Sequence, residues 1–558
     1  MTVREAAPPT GSGAVTPSSG PAAARPERAD RRILAGLCAL VFAIYASYAW
    51  VRHVHYETTN YDLGIFDQAV RAYSRFEAPI VPLKAPGYNL LGDHFHPLVA
   101  VFAPLYWIWA DPRMLLLAQA ALFAASMVPV ARFTERRLGG RGALIVALVY
   151  GLSWPLQQAV QFDVHEIALA VPLIAVVIDA IDRRSWWVVV LCCVLLLGVR
   201  EDMGAFVVVA GLLVALRSPA SPAPARRARR SDRADPSRHA FDPDGLPADA
   251  DRAGPVAAIR LWAAPRRANL AVGAALVALG SGGYWLATSV VIPRLAPTGS
   301  FVYWTFPALG PDPASAVRFA LTQPWQVLRI MVTPSIKAHT LLQLVAPTAL
   351  VGVASPYILL TLPFVAERML NSRSQLWGTG YHYSSVLAPT VALAAVDTVD
   401  KITRWLRRRR PGWRWRGLLP VDLWIAWCVG FLVLGHVLHW PDFPIRRMTS
   451  YWFWHPNARI AAIERVLPHI PSNQCVEAAN QLGPHLTARD YITQPTQSRG
   501  LATWVVLDMS QLDTGWQTPR PNAALGISLR RGYRIVDIDY PIVVLHSDGP
   551  VRPICRTH

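Results

Sequence analysis

The sequence predicts an α-helical polytopic membrane protein of about 11 transmembrane helices, with a small extracytoplasmic α/β domain at its C-terminal end. Three observations carry this. Of 558 residues, 53% are hydrophobic and only 16% are charged, against roughly 25% charged in an ordinary soluble protein. The apolar residues gather in runs close to the ~20 residues that cross a hydrocarbon core. Short Arg-rich clusters separate those runs, as topology signals do.

In chain order, residues 1–30 are rich in Pro, Ala, Ser and Gly and read as a disordered cytoplasmic N-terminus. The first run, 33–51, lacks a small-residue cleavage site at its end, so it stays as the first span of a membrane domain covering 31–440. Basic clusters at 25–32, 132–141, 183–184, 226–267 and 401–416 face the cytoplasm. Parity then orders the rest. Residues 52–112 form a first outer loop, and 97–110 lies in it as an interfacial helix, because a full span there would export the 132–141 cluster. Runs 114–131, 142–160, 167–178, 186–199 and 203–216 alternate across the bilayer. Residues 217–268 mix Pro, Arg and Asp without apolar periodicity and form a disordered basic cytoplasmic loop. Run 270–292 exits, 338–366 makes a hairpin turning at Ser355-Pro356, 384–398 enters, and 418–438 exits.

Residues 441–558 have the composition of a small soluble domain, compact from about 456. Runs 475–480, 502–510 and 533–547 have strand character, and 458–470 has helical spacing. Cys38, Cys192, Cys193 and Cys428 fall in apolar runs, where free Cys behaves as a small hydrophobe. Cys475 and Cys555, on the exported segment, are the disulfide candidates. The net charge of +18 does not mark a nucleic-acid partner, because the Arg residues sit beside apolar spans and not on one soluble face.

On this topology the outer side collects the unusual polar residues. Asp62, at the start of a helix, reads either as a cap for backbone N–H groups or as a general base or metal ligand held just above the bilayer. Asp67 lies off that helical face and reads most simply as an Arg-paired or solvated carboxylate. Asp93, His94 and His96 in GDHFHP suit a phosphate or a divalent ion only if extended, a weak metal signal that names no cofactor. His165-Glu166 reads as a helix start with a first-turn acid. Arg200-Glu201-Asp202 is flanked by runs shorter than a full span, which puts ionisable groups below the headgroup level, where they are paired or functional. Tyr381-His382 carries an aromatic-belt reading. Together these residues make one acidic and histidine-rich outer surface over an apolar bundle.

The stretches YDLGIFDQAV, DHFHPLVAVFAPLY, LLLAQAALFAASMVPV, FDVHEIALAVPL, REDMG and YHYSS, followed by PHLTAR in the tail, resemble in this order the polytopic membrane family called domain of unknown function 2079. The match runs over most of residues 35–530. That family is in turn similar to the membrane glycosyltransferases of the C type, which include oligosaccharyltransferases and protein O-mannosyltransferases. Shared features are an acidic motif in a long first outer loop, a His-Pro before an apolar interfacial segment, many spans and a soluble C-terminal domain. The resemblance implies a glycosyltransferase-C-like fold, a polyprenyl-phosphate-linked sugar donor, an unidentified acceptor and a catalytic carboxylate at Asp62. Many such enzymes have two adjacent acids there, whereas Asn60-Tyr61-Asp62 offers one.

The function expected is therefore sugar transfer from a polyprenyl-phosphate carrier to an extracytoplasmic acceptor at the cell membrane. His94, His96 and Arg200 contact the phosphate, Glu201 and Asp202 position them, and Asp67, His165, Glu166, Tyr381 and His382 complete the substrate surface. The alternative is a non-catalytic transporter or lipid-handling protein, or a scaffold whose exported domain binds a partner. Transporters gather their polar groups near the bilayer midplane within inverted repeats. Transfer instead requires Asp62, His96, Arg200 and Glu201 to converge in one cavity.

Overall fold

Where water is absent every backbone polar group must be satisfied within the chain, so long apolar runs become helices. The computed structural model describes residues 29–218, 267–409, 420–511, 518–550 and 552–556. Apart from their edges, the segments read as disordered, 1–30 and 217–268, lie outside these residues, as does the 410–416 part of the last basic cluster. Among the described residues, four helical runs are long and apolar enough to cross a membrane: Arg31–Val54, Arg113–Gln161, Arg267–Leu295 and Pro420–Val437.

The second of these runs is not one rod. Gly139 stands at φ 82° inside it, and the chain folds back there. The hydroxyls of Ser126 and Tyr150 meet at 2.9 Å, although 24 residues of straight helix would separate them by roughly 36 Å. Glycine supplies the positive φ that the reversal needs. The Ser335–Val345 and Leu362–Leu370 helices are also doubled back on each other, since the Lys337 ammonium donates to the Met369 carbonyl at 2.6 Å. The segment after His96 forms Pro97–Phe102 and Ala103–Ile108, two short pieces with Trp107 and Ile108 exposed.

The described members of the basic clusters gather at one end of the bundle. Arg136 reaches Asp179 at 2.5 Å, Arg137 reaches Asp182 at 2.6 Å and Asp397 at 3.5 Å, and Arg217 donates to the Asp182 carbonyl at 3.1 Å. These pairs carry two helices beyond the ends read from apolarity. One runs Ala170–Arg183 and the other Ala388–Arg409, where Lys401 pairs with Asp397 and Arg404 with Asp400 one turn apart.

After Asn457 the chain builds a five-stranded sheet in the order β2-β1-β3-β5-β4. The strands are β1 (Cys475–Ala478), β2 (Tyr491–Thr493), β3 (Trp504–Asp508), β4 (Arg534–Asp539) and β5 (Ile542–His546). β1 runs parallel to both β2 and β3, and the other pairs are antiparallel. β2, only three residues long, carries too short a pattern to be read. Helix Ala458–Val466 covers one face through Ile463 and Val466, in an apolar core continuous with that of the spans. Helix Pro521–Arg530 lies over the other, where Ala524 packs with Val505, Leu507, Val543 and Leu545. Cys475 and Cys555 are joined by a disulfide that ties the chain end to β1.

The tightest helix contact joins Met203–Leu216 to Arg267–Leu286. A Cβ on Gly211 would lie 2.7 Å from the Gly273 carbonyl oxygen, and one on Gly273 would lie 2.5 Å from that of Gly211. Small residues permit this approach. Gly273→Val is expected to destabilise the folded protein in detergent by about 1–3 kcal/mol, as overpacking does. Gly282→Ala, with nothing within 4 Å of the added methyl, is expected to leave the thermal midpoint unchanged or raise it.

Candidate active site

Thr59 is extended, and residues Asn60–Gly64 then form an irregular turn, with Tyr61 in non-helical backbone (φ −96°, ψ 106°), that leads into helix Ile65–Ser74. Its position is fixed from two sides. Asp163 accepts from the Thr59 N–H at 2.8 Å and is paired with Arg52 at 2.8 Å. The Asn60 N–H donates to the Asn480 carbonyl at 2.7 Å, and the Asn60 side chain donates to the Ala478 carbonyl at 3.2 Å. Asp62 sits on this turn without capping it, its side chain 19% exposed.

Asp62 opens into a cavity of about 980 Å³ at the end of the bundle opposite the basic clusters. The other sequence candidates on its wall are His94, His96, His165, Glu166, Arg200, Glu201, Asp202, Tyr381 and His382. Asp67 is the exception and corrects the expectation. It is 0% exposed, paired with Arg71 at 3.1 Å one helical turn on, and accepts from the Tyr106 hydroxyl at 2.6 Å. Its carboxylate is taken up by these two partners and does not line the cavity.

The cavity charges are organised in pairs. His94 Nδ1 lies 2.6 Å from Glu201, and its ring stacks on Tyr303 with centroids 4.1 Å apart. Burial alone would lower His94, but the Glu201 carboxylate overrides it and raises the imidazole to about 9. Lys84 reaches Asp93 at 2.8 Å, and the Tyr303 hydroxyl donates to the same carboxylate at 2.5 Å. Arg200 grips Asp202 through two hydrogen bonds, one of 2.9 Å, and lies 3.6 Å from Glu166. Against burial, His165 and Arg200 bring Glu166 down to about 2. Burial and the neighbouring Asp202 carboxylate raise Glu367.

Asp62 is held differently. Its nearest ion partner among the described residues is His165 Nε2 at 3.8 Å, and Nδ1 of that ring is 2.7 Å from Glu166. Burial raises Asp62 to about 6, against the opposing pull of His165. His382 stacks on His165 with centroids 3.4 Å apart, and neither of its ring nitrogens has a hydrogen-bond partner among the described residues. Burial lowers it well below the usual imidazole range, so it is neutral. Ligand atoms of Asp62, His165 and His382 lie within 4.8 Å of one another. A carboxylate with two imidazoles, one of them oriented by a second carboxylate, is a donor set that fits a divalent cation.

Several cavity residues carry no sequence motif: Lys84, Tyr303, Glu367, Arg368 and Asn480. Arg368 is buried and donates to the Leu376 and Gly378 carbonyls and the Ser384 hydroxyl, which shapes the 371–384 loop. An isolated Lys in the outer loop and the aromatic run FVYWTF at 301–306 were the available signals.

The chain belongs to the family described as predicted membrane protein (DUF2079), which matches residues 52–535. Among curated proteins none matches the sequence. Among solved structures, the crystal structure of ArnT from Cupriavidus metallidurans bound to undecaprenyl phosphate is similar at 12% identity and a TM-score of 0.43, covering 91% of this chain and 97% of that one. The apo state of the same protein is similar at 12% identity and a TM-score of 0.40, over 91% and 97% of the two chains. The archaeal oligosaccharyltransferase AglB from Archaeoglobus fulgidus, in complex with an inhibitory peptide and a dolichol-phosphate, is similar at 12% identity and a TM-score of 0.34, over 85% of this chain and 69% of that one.

Removing one partner of a buried ion pair leaves the other uncompensated, at a cost of about 3–5 kcal/mol. Asp67→Ala is therefore expected to lower the thermal midpoint sharply, with the ligand affinity of the protein that remains folded unaltered. A normal midpoint with lost ligand binding would return Asp67 to the site.

Proposed function

We propose that the protein is a membrane glycosyltransferase that moves a sugar from a polyprenyl-phosphate donor to a hydroxyl acceptor on the extracytoplasmic side of the cell membrane. The observation that carries this reading is the meeting of Asp62, His96, Arg200 and Glu201 in one cavity, at the end of the bundle away from the basic clusters. By the positive-inside rule the basic end and the N-terminus are cytoplasmic, and the cavity and the C-terminal sheet domain are outside. A Cys475–Cys555 disulfide suits that oxidising side.

The donor head is an anionic phosphate diester carrying a sugar. Protonated His94, Arg200 and Lys84 on the cavity wall supply charge-assisted hydrogen bonds for the phosphate, and His96, whose pKa burial lowers, adds a neutral one. Glu201 keeps His94 charged, and Asp202 keeps the Arg200 guanidinium oriented. Phe301, Phe306 and Val317 give part of the wall an apolar surface for the first units of the lipid.

In the transfer step the acceptor oxygen bonds to the anomeric carbon as the bond from that carbon to the phosphate oxygen breaks. The phosphate leaves on its lipid as an anion, and the hydroxyl proton passes to Asp62. A carboxylate raised to about 6 is ionised near neutrality yet basic enough to take a proton in the transition state. A divalent cation held by Asp62, His165 and His382 would supply Lewis-acid polarisation in place of the proton-accepting role of Asp62, because coordination lowers the proton affinity of its carboxylate.

Asp62→Asn, assayed with synthetic short-chain polyprenyl-phosphate sugars, is expected to lose about 10²–10⁴-fold in transfer while donor binding persists. Because Asp62 must be ionised and His94 protonated, the rate is expected to rise through pH about 6 and to fall through about 9. Undiminished transfer by the variant, with an unaltered cell-envelope glycan profile, would overturn the reading.

A further inference from the structure

The sheet domain reaches the cavity at one residue. Of the cavity-lining residues among those described, Asn480 alone comes from beyond residue 440. It lies just past the carboxyl end of β1, whose parallel neighbours β2 and β3 stand on opposite sides of it. Connections that diverge on either side of a strand leave a crevice at its carboxyl end, where open α/β sheets take their ligands.

Two amides there have buried atoms without hydrogen-bond partners among the described residues. Asn480 is 8% exposed and its Oδ1 accepts no hydrogen bond. Gln511, also 8% exposed, has neither Oε1 nor Nε2 satisfied. With Asp508 they line a crevice of about 10 Å³ behind the cavity wall, room for one small polar group such as a hydroxyl or a water. The nearby charges are already committed. Asp508 pairs with Arg459 at 2.7 Å and accepts from the Ser510 hydroxyl at 2.6 Å, and Arg459 also donates to Gln481 at 2.8 Å. Apart from Asp508, the residues lining the crevice are uncharged.

We infer that the carboxyl edge of the sheet is the acceptor subsite, where Asn480, with Gln511 behind it, binds one hydroxyl of an uncharged acceptor such as a glycan end. This rests on the transferase reading. The Asn480 carbonyl accepts from the Asn60 N–H at 2.7 Å, two residues before Asp62, so the amide and the base are registered through one hydrogen bond. An acceptor held by Asn480 presents its next hydroxyl to Asp62. Its oxygen bonds to the anomeric carbon, the bond from that carbon to the phosphate breaks, the proton goes to Asp62, and the lipid phosphate departs.

The test uses the full-length protein in nanodiscs, a radiolabelled short-chain polyprenyl-phosphate sugar, and two acceptors: isolated cell envelope and water. Asn480→Ala is expected to raise the envelope concentration for half-maximal transfer about three- to tenfold, the effect of one hydrogen bond. Donor KM and donor hydrolysis by water stay unchanged, and Asn480→Ser, which keeps an acceptor oxygen in a smaller side chain, recovers part of the loss and serves if the Ala variant fails to fold. An unchanged dependence on envelope concentration would overturn the inference, as would equal losses in transfer and hydrolysis. If Asp62→Asn abolishes transfer while Asn480→Ala is silent, only the subsite falls. If Asp62→Asn transfers normally, the transferase reading falls with it.

Discussion

Charge burial is the constraint on which the site depends. Six carboxyl groups, those of Asp62, Asp93, Glu166, Glu201, Asp202 and Glu367, line one cavity at the end of an apolar bundle. Ionised groups in such surroundings must be paired or must neutralise. Asp93 takes Lys84, Glu201 takes His94, Asp202 takes Arg200, and Glu166 takes His165 with Arg200 beyond it. Glu367 is pushed toward its protonated form. Asp62 is left with a partner no nearer than 3.8 Å among the described residues, and burial with that incomplete compensation raises its pKa to about 6.

The same pairs assemble the walls. Asp93 and Tyr303 join the first loop to the segment after the Arg267–Leu295 helix, and Arg368 folds the 371–384 loop around itself. From the other side the sheet fastens the loop by its strand ends. Gln68 donates to the Ile492 carbonyl at 3.0 Å, and Gln494 donates to that of Leu83 at 3.2 Å. The Asp62 turn is thus clamped between the bundle, through Asp163, and the sheet, through Asn480. A carboxylate set on a turn held from both sides keeps its position without a long helix behind it.

Much of this was legible in the sequence, because charge and apolarity act over whole segments. The 132–141 cluster marked a reversal that the structure makes at Gly139, and the clusters on one predicted face do gather at one end of the bundle. The acid and histidine motifs of separate loops converge, since burying any one of them requires the others as partners. Asp67 misled because its motif neighbours are site residues, although Arg71 four positions on already offered it an ion pair. Lys84, Tyr303, Glu367 and Asn480 were illegible for another reason. Each is an ordinary residue in an ordinary run, made special only by what tertiary packing sets beside it. Helix ends at Arg183 and Arg409 outran the apolar pattern because ion pairs, not hydrophobicity, extend them.

A structure of the protein with a short-chain polyprenyl phosphate bound tests the central claim most directly. The account predicts phosphate oxygens within hydrogen-bonding reach, about 2.7–3.2 Å, of His94 and Arg200, with the lipid leaving past Val317 and Asp62 facing the far side of the phosphate. A phosphate seated among the basic residues at the other end of the bundle, or outside the cavity altogether, would contradict it.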